Sequence, residues 1–446
     1  MEKTDPKTAM EMPEGFDEAW RYPLMDAIFN RRSRRIAMGT DIPGGPTQYK
    51  ATRAPIPLTE LEEAMLVQAT TGISGFNLAD LPFGDEQGRD ACGNTMIQFT
   101  GRTWASPCAS HDTELFYWND EGTYVMKLHD VLASRMLEYQ SLDDRERVIQ
   151  FHKDNAVKLF DGRPQYPHTA PTMLPFNIPI SDVPGSTMFL PIADNTFEMI
   201  NLLLLVCGVP EGGMTVIDQE NGNRPAGCER WIKEGLLDAK RAAPLSYLGN
   251  ASQIEAGFMI QNLLLAIQAM GLGGWVHGHA AAPILLGGTP VAKGLGFHFV
   301  TGTSGSLKGM PTPVGLEGIL EAYCPPYYPN MDAAVDAVVD VKFASGGIYD
   351  PDKTTAEGAS ASAFKDHREV VTNVPRHSDE LIQCVKDICN YVYDTFGRFP
   401  SHTDAISTPG CWVQAHHLDL EFYDKFYQEG AYTDAQRKHM QIWHAE

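Results

Sequence analysis

The spacing of apolar residues predicts three long helices in this chain. A capping box at residues 59–62 opens the first, and its apolar face continues until Gly72. A second capping box at residues 252–255 opens a helix that is apolar on nearly all sides and ends at Gly271. A helix of this kind is usually buried at the centre of a domain or at a subunit interface. The third helix begins near Ser378 and ends at residue 397.

Shorter runs of β-branched and aromatic residues predict strands between these helices. Residues 116–118 and 123–126 flank a turn and predict a β-hairpin, while residues 213–218 and 295–300 are further strand candidates. The strands and helices do not alternate regularly along the chain. This pattern favours an α+β fold over a doubly wound parallel sheet.

The amino-acid composition changes between the second and third predicted helices, which suggests a domain boundary there. Residues 344–364 are rich in Gly, Ser and Ala, a composition typical of a loop or linker. We therefore predict an N-terminal arm over residues 1–19, a main domain over residues 20–340, a linker over residues 341–365 and a helical C-terminal extension over residues 366–446.

Composition and charge narrow the class of protein. Of the 446 residues 43% are apolar, which is enough for a sizeable core, and the formal charge of −22 has the wrong sign for a nucleic-acid binder. No apolar run reaches the length of a membrane-spanning helix. The N-terminus lacks the features of a signal peptide, and the eight cysteines form no CxxC pair. We therefore expect a soluble cytoplasmic protein with reduced thiols, without a nucleic-acid or membrane partner.

The most informative local segment is Arg31-Arg32-Ser33-Arg34-Arg35. Guanidinium groups are forked donors suited to clasping a phosphate, and the serine adds a hydroxyl. Taken alone, the segment is better explained as a solvated basic helix end, or as a patch that pairs with the protein's own carboxylates. Two segments further along the chain change that balance.

Those segments are residues 72–77, which read Gly-Ile-Ser-Gly-Phe-Asn, and residues 261–278, which run from Gln-Asn-Leu-Leu-Leu to Gly-Gly-Trp-Val-His-Gly. The order and spacing of the three segments resemble the nitroreductase-like FMN-dependent oxidoreductases. The resemblance covers about residues 20–300 discontinuously, because residues 85–250 contain no segment that aligns with the family. It implies a three-layer α+β fold, with a central mixed or antiparallel sheet flanked by helices, in a homodimer.

The resemblance also implies which residues hold one FMN per subunit at the dimer interface. The first segment would contact the phosphate and the ribityl or ring edge, and the second would approach the flavin from a loop. The third would place a histidine and a backbone N–H at the reactive edge of the isoalloxazine. The residues so assigned are Arg31, Arg32, Ser33, Arg35, Ser74, Asn77, His277 and Gly278, with His277 also assigned a catalytic role.

The activity implied by the resemblance is transfer of reducing equivalents from NAD(P)H to a small electrophile, such as a nitroaromatic, a quinone or an enone. The redox chemistry belongs to the cofactor, while the protein supplies orientation and electrostatics. Residues 85–250 are expected to act as an insert that shapes the acceptor pocket. A protein of this fold that binds flavin without redox turnover is the alternative.

A second constellation of polar residues lies near the C-terminus. It comprises His402, Asp404, residues 416–424, His439 and His444, which are ligand types for zinc or non-haem iron. If residues 417–424 are helical, His417, Glu421 and Asp424 share one face. A metalloenzyme that uses this histidine and carboxylate cluster is therefore a further alternative.

The plainer interpretation of this constellation is an amphipathic helix whose histidines and acids hydrogen-bond locally. It is preferred because the pattern matches no known metal motif, and no metal ligand is assigned. An intermediate hypothesis is that the C-terminal segment folds over the flavin pocket and supplies a general acid from His416 or His417.

Overall fold

The computed structural model describes residues 12–80, 98–107, 109–127, 145–170, 172–209, 212–248, 252–278, 282–290, 292–355, 358–400 and 411–444. Both helices and strands are present, which confirms an α+β protein. The helices are α1 (Glu14–Trp20), α2 (Leu24–Asn30), α3 (Glu60–Thr71), α4 (Arg145–Asn155), α5 (Asn195–Cys207), α6 (Glu229–Glu234), α7 (Ser252–Met270), α8 (Ala282–Leu286), α9 (Met331–Phe343), α10 (His367–Thr372), α11 (Asp379–Phe396), α12 (Leu420–Phe426) and α13 (Asp434–His444).

The strands form one large sheet and several small ones. They are β1 (Asp41–Ile42), β2 (Tyr49–Lys50), β3 (Ile73–Phe76), β4 (Thr100–Arg102), β5 (Thr113–Trp118), β6 (Gly122–Met126), β7 (Ala156–Asp161), β8 (Thr187–Ala193), β9 (Gly213–Asp218), β10 (Arg224–Pro225), β11 (Leu237–Pro244), β12 (Gly273–Gly278), β13 (His298–Thr301), β14 (Pro311–Leu316), β15 (Leu320–Glu321) and β16 (Cys411–His416).

The large sheet has the strand order β12-β16-β8-β5-β6-β7 in the described part of the chain, and every neighbouring pair is antiparallel. All seven residues of β8 and all six of β5 are buried, because both faces of these central strands are covered. The predicted hairpin is confirmed as β5 and β6, with Trp118 opposite Thr123 next to the turn. The antiparallel sheet agrees with the predicted α+β class, and the predicted three-layer arrangement stays a prediction.

The three predicted helices are confirmed, and their ends follow local chemistry. Thr59 caps α3 by accepting a hydrogen bond from the Glu62 N–H, while the Glu62 carboxylate accepts one from the Thr59 N–H at 2.6 Å. α11 begins after Ser378, whose hydroxyl accepts from the Leu381 N–H, and it ends at Gly397 with φ +67°. α7 packs along the sheet, against α3 and strands β5, β8 and β12. Its Leu263 and Met259 are fully buried.

Two predicted boundaries do not describe how the chain folds. Residues 366–446 are not a helical extension, because β16 lies between β12 and β8 inside the large sheet. Residues 85–250, predicted to be an insert into the main domain, supply β5, β6, β7 and β8 of the same sheet. Both segments are therefore part of the central framework.

The predicted linker is mostly irregular, but it is not separate from the core. Residues 345–355 follow α9 without helix or strand, and a short bridge joins Thr354 to Ser360. Ile348 and Tyr349 are buried there and pack in a cluster with Phe99. Among the described helices, none is both long enough and apolar enough to span a membrane.

Candidate functional site

The arginine segment that follows α2 runs along the edge of the large sheet. The Arg34 N–H donates to the carbonyl of Gly274 on the edge strand β12 at 3.2 Å, and the Met38 N–H donates to the His417 carbonyl at 3.0 Å. This extended conformation alternates side chains between two directions. Arg34 is therefore buried, while Ser33 and Arg35 are exposed.

Arg34 is a structural residue rather than a free donor. Its guanidinium donates to Gln268 Oε1 at 2.8 Å and to the carbonyl of Ala431 at 3.0 Å. It thereby joins α7 to the segment between α12 and α13. Arg32 folds back and donates to the carbonyls of Phe29 and Arg31, at 3.0 and 2.9 Å.

An open cavity of about 710 Å³ lies beside this segment. Residues 32–35 contribute to its lining, and in the described part of the chain no acidic side chain forms an ion pair with Arg32 or Arg35. The structure therefore does not support the idea that these arginines neutralise the protein's own carboxylates. The remaining walls are mainly apolar and aromatic, and include Ile36, Ile42, Pro175, Phe176, Pro179, Ile180, Phe422, Tyr423 and Tyr427.

A stack of side chains leads from this cavity into the core. The Arg35 guanidinium lies 4.9 Å from the ring centroid of Trp275, a cation–π distance. The rings of Trp275 and His277 are 3.5 Å apart, and the ring of Trp412 lies 5.7 Å beyond His277. Arg35 is consequently oriented by an aromatic face.

His277 and Gly278 lie on β12, an edge strand of the large sheet. The His277 side chain is buried, and its Nδ1 lies 3.0 Å from the hydroxyl of Ser181. The imidazole therefore lies behind Trp275 and is not part of the cavity wall.

Ser74 and Asn77 lie away from this cavity, on and just after β3. The Ser74 hydroxyl donates to the carbonyl of Arg102 at 3.0 Å, and the Asn77 amide donates to the carbonyl of Gln98 at 2.7 Å. Arg31 is also absent from the cavity lining. Within one chain, the structure thus brings together Arg32, Ser33 and Arg35 but not the second predicted segment.

The C-terminal segment lines the cavity, but its two central histidines do not. Phe422 and Tyr423 of α12 form part of the wall. His416 is the last residue of β16 and faces Gly273, where any side chain would collide with the imidazole. Burial, together with neighbouring His417, lowers the pKa of His416 to about 3. This direction favours the uncharged ring at neutral pH, whose remaining N–H is too weakly acidic for general-acid catalysis.

Four side chains from three parts of the chain meet in a second, buried site. Glu62 Oε1 lies 3.1 Å from His417 Nε2, 2.8 Å from His439 Nε2 and 3.3 Å from His444 Nε2. The four ligand atoms lie within 4.8 Å of one another. Burial would raise the pKa of Glu62, but the three surrounding imidazoles outweigh it and hold that pKa well below its usual value. Glu62 is therefore a buried carboxylate.

The sequence pattern identified only part of this cluster. The predicted helical face of His417, Glu421 and Asp424 is wrong, because α12 begins at Leu420 and His417 precedes it. Glu62 was recognised only as the acid of a capping box. Its Oε2 does cap α3, which leaves Oε1 to face the histidines. His402 and Asp404 lie outside the described residues.

Comparisons with known proteins are sparse. No protein-family model matches the chain, and no curated protein matches it. One solved structure that it resembles is a crystal structure from Ralstonia eutropha JMP134, provisionally described as a nitroreductase. The identity is 15%, the match covers 63% of this chain and 75% of that chain, and the TM-score is 0.25. At this level neither fold nor activity transfers between the proteins, so function must be inferred from the site residues.

Proposed function

We propose that the protein is an FMN-dependent oxidoreductase that passes reducing equivalents from NAD(P)H to a small electrophile of the nitroaromatic, quinone or enone type. The observation that carries this proposal is the cavity beside residues 32–35. Guanidinium and hydroxyl donors, with no carboxylate paired to the arginines in the described part of the chain, contribute to the lining, and aromatic side chains form other walls. A phosphate-bearing planar cofactor needs both kinds of surface.

The cavity residues fit FMN by size and donor chemistry. Its volume of about 710 Å³ falls within the range of roughly 300–1,000 Å³ for small-molecule sites. The phosphate would be held by Arg32, Ser33 and Arg35. The flexible ribityl chain and the planar ring system of FMN would be bordered by Phe176 and Tyr423. The bound cofactor would supply the redox chemistry that links the nicotinamide to the acceptor.

The protein's own contribution is the orientation of the residues around the cavity. Trp275 fixes the direction of Arg35, and His277 supports Trp275 from behind through a close ring stack. His277 is therefore proposed as a positioning residue. Gly278 lies on the edge strand β12 but is not among the residues that line the cavity, so its assigned backbone contact with the flavin stays a prediction. His416 and His417 are not assigned a catalytic role, because neither lines the cavity.

The second predicted segment enters this proposal through a homodimer. Ser74 and Asn77 lie away from the cavity of their own chain, so we place them at the cavity of a second copy. Two neighbouring helices offer surfaces for such an association. α2 and α7 pack together and expose the apolar side chains of Leu24, Met25, Ile28, Phe29, Ile254 and Phe258.

The absorbance spectrum of the purified full-length protein tests this proposal. We expect a yellow protein that releases FMN, identified by mass, and that bleaches on anaerobic addition of NADH or NADPH. A protein that binds FMN but does not bleach would be a flavin binder without turnover. A colourless protein that fails to bind added FMN would refute the proposal.

A further inference from the structure

When its imidazole rings are neutral, the cluster of Glu62, His417, His439 and His444 has too few hydrogen-bond donors for the acceptors it brings together. His417 Nδ1 lies 2.9 Å from the carbonyl of Ile56, and His439 Nδ1 lies 2.8 Å from the carbonyl of Met270. A carbonyl oxygen only accepts, so both rings carry their hydrogen on Nδ1. In the neutral rings, both Nε2 lone pairs consequently face the Glu62 carboxylate.

The geometry at His439 is a second, independent sign that the cluster lacks hydrogen-bond donors. Its side chain is 3% exposed, and its Nε2 lies 2.8 Å from Glu62 Oε1. The two atoms are nevertheless not aligned for a hydrogen bond, and His439 Nε2 has no other partner in the described part of the chain. An unpaired ring nitrogen that is buried against a carboxylate is costly unless a cation lies between them.

We propose that Glu62, His417, His439 and His444 form a four-ligand site for a divalent transition metal, with zinc as the metal that suits it best. Zinc takes three imidazoles and a carboxylate in a tetrahedron with bonds of about 2.0–2.2 Å, which sets the ligand atoms about 3.4 Å apart. The observed separations from Glu62 Oε1 are 2.8–3.3 Å. A small outward movement of each side chain would accommodate the ion.

The surroundings of the cluster are those of a metal site. Metal-bound histidines usually donate their second ring N–H to a carbonyl or carboxylate, which fixes the ring. Ile56 and Met270 supply such carbonyls here. Glu62 is fixed as well, because its Oε2 is held by the Thr59 N–H and hydroxyl. The ligands are therefore oriented before any ion binds.

The metal would join parts of the chain that are distant in sequence. Glu62 belongs to α3, His417 follows β16, and the other two ligands belong to α13. Side-chain exposure is 0% for Glu62, 1% for His417 and 14% for His444, so no open position faces solvent except near His444. A closed site with four protein ligands is typical of structural metals. We assign it to stability, independently of the flavin proposal.

Metal analysis of the full-length protein tests this site. The protein is stripped with dipicolinate, titrated with zinc chloride by calorimetry, and melted with and without the metal. We expect one zinc per chain and a melting temperature several degrees higher in its presence. Cobalt in place of zinc should give the visible absorption bands of a four-coordinate ion in a difference spectrum.

Two variants and a matched control complete the test. His439→Gln and His444→Gln should each weaken zinc binding more than about 100-fold. His416→Gln should retain one zinc per chain, because that buried histidine adjoins a ligand but faces Gly273. If stripped wild-type protein binds neither zinc nor cobalt and its melting temperature is unchanged by either, the proposal is overturned. That result holds even if a variant fails to fold.

Discussion

The imidazole of His277 lies face to face with the indole of Trp275, with ring centroids 3.5 Å apart and planes inclined by 28°. The two residues are on the same face of β12 because they are two positions apart in a strand. The Arg35 guanidinium lies 4.9 Å from the same indole. Trp275 therefore contacts a residue of the cavity directly, and we expect its fluorescence to change when a ligand binds beside Arg35.

Arg35→Gln should weaken FMN binding by about 10- to 100-fold, since a charge-assisted hydrogen bond to phosphate contributes about 1.5–3 kcal/mol. The measurement is quenching of FMN fluorescence during titration. Arg230→Gln is the control, because Arg230 is exposed on α6 and pairs with Glu234. Equal losses in both variants would argue against a phosphate contact at Arg35.

Phe29→Glu should turn a dimer into a monomer, if the exposed faces of α2 and α7 form the subunit interface. Phe29 is 69% exposed and its neighbours on α2 are also exposed and apolar. A carboxylate buried in such an interface would be strongly unfavourable. Sedimentation velocity reports the mass. The control is Met310→Glu, which alters a side chain that is 38% exposed and directly precedes β14. A wild-type monomer would contradict the prediction.

Lys342→Met should remove a pH dependence of stability above neutrality. Lys342 on α9 is 1% exposed, and burial lowers its pKa from 10.5 to about 7. Between these two values the unfolded chain binds one more proton than the folded chain, so the free energy of unfolding rises with pH. Between about pH 7 and pH 10.5 the free energy of unfolding increases by on the order of 3–5 kcal/mol, and this increase is absent below about pH 7.

Urea unfolding at pH 7 and at pH 10 measures that gain. The Lys342 ammonium lies 2.9 Å from Asn201 Oδ1 and from His377 Nε2. Burial and Lys342 itself lower the pKa of His377 to about 3, so this ring does not titrate in the window. Lys438→Met, at a side chain that is 53% exposed, should leave the slope unchanged. An unchanged slope in Lys342→Met would contradict the prediction.

Trp412→Ala should destabilise the fold by about 3–5 kcal/mol, the usual cost of emptying a buried tryptophan site. Trp412 is fully buried on β16 and its ring lies 5.7 Å from that of His277. Chemical denaturation gives the free energy of unfolding. Tyr247→Ala should change it by less than about 0.5 kcal/mol. A small effect at Trp412 would mean that β16 is not integral to the sheet.

Local features of the sequence were sufficient to predict the long helices and one hairpin. The cap of α3 uses only residues 59–62, and the turn between β5 and β6 uses adjacent residues. Such interactions need no knowledge of the rest of the fold. β16 was missed because its residues 411–416 were assigned to a helical extension, and only tertiary packing shows them to be a central strand.

In the candidate sites, too, only the features formed by residues close in sequence could be predicted. The arginine segment was recognisable because its donors are adjacent in sequence. The sequence could not show that Arg34 is buried while Arg35 is exposed, because that depends on which side of the segment faces the core. The Glu62 cluster was not recognisable, because Glu62 and His417 are 355 residues apart. One signal was present: a capping-box acid needs only one carboxylate oxygen for its helix, which leaves the other for a distant partner.

The central position of β16 also affects when the protein can fold. A ribosome delivers β8 and β12 first, and residues 279–410 must follow before the strand between them is made. During that interval both strands have unpaired backbone edges, which favour association with other chains. The large sheet is therefore completed only after residues 411–416 have been synthesised, and a newly made chain exposes these two strand edges until β16 is inserted.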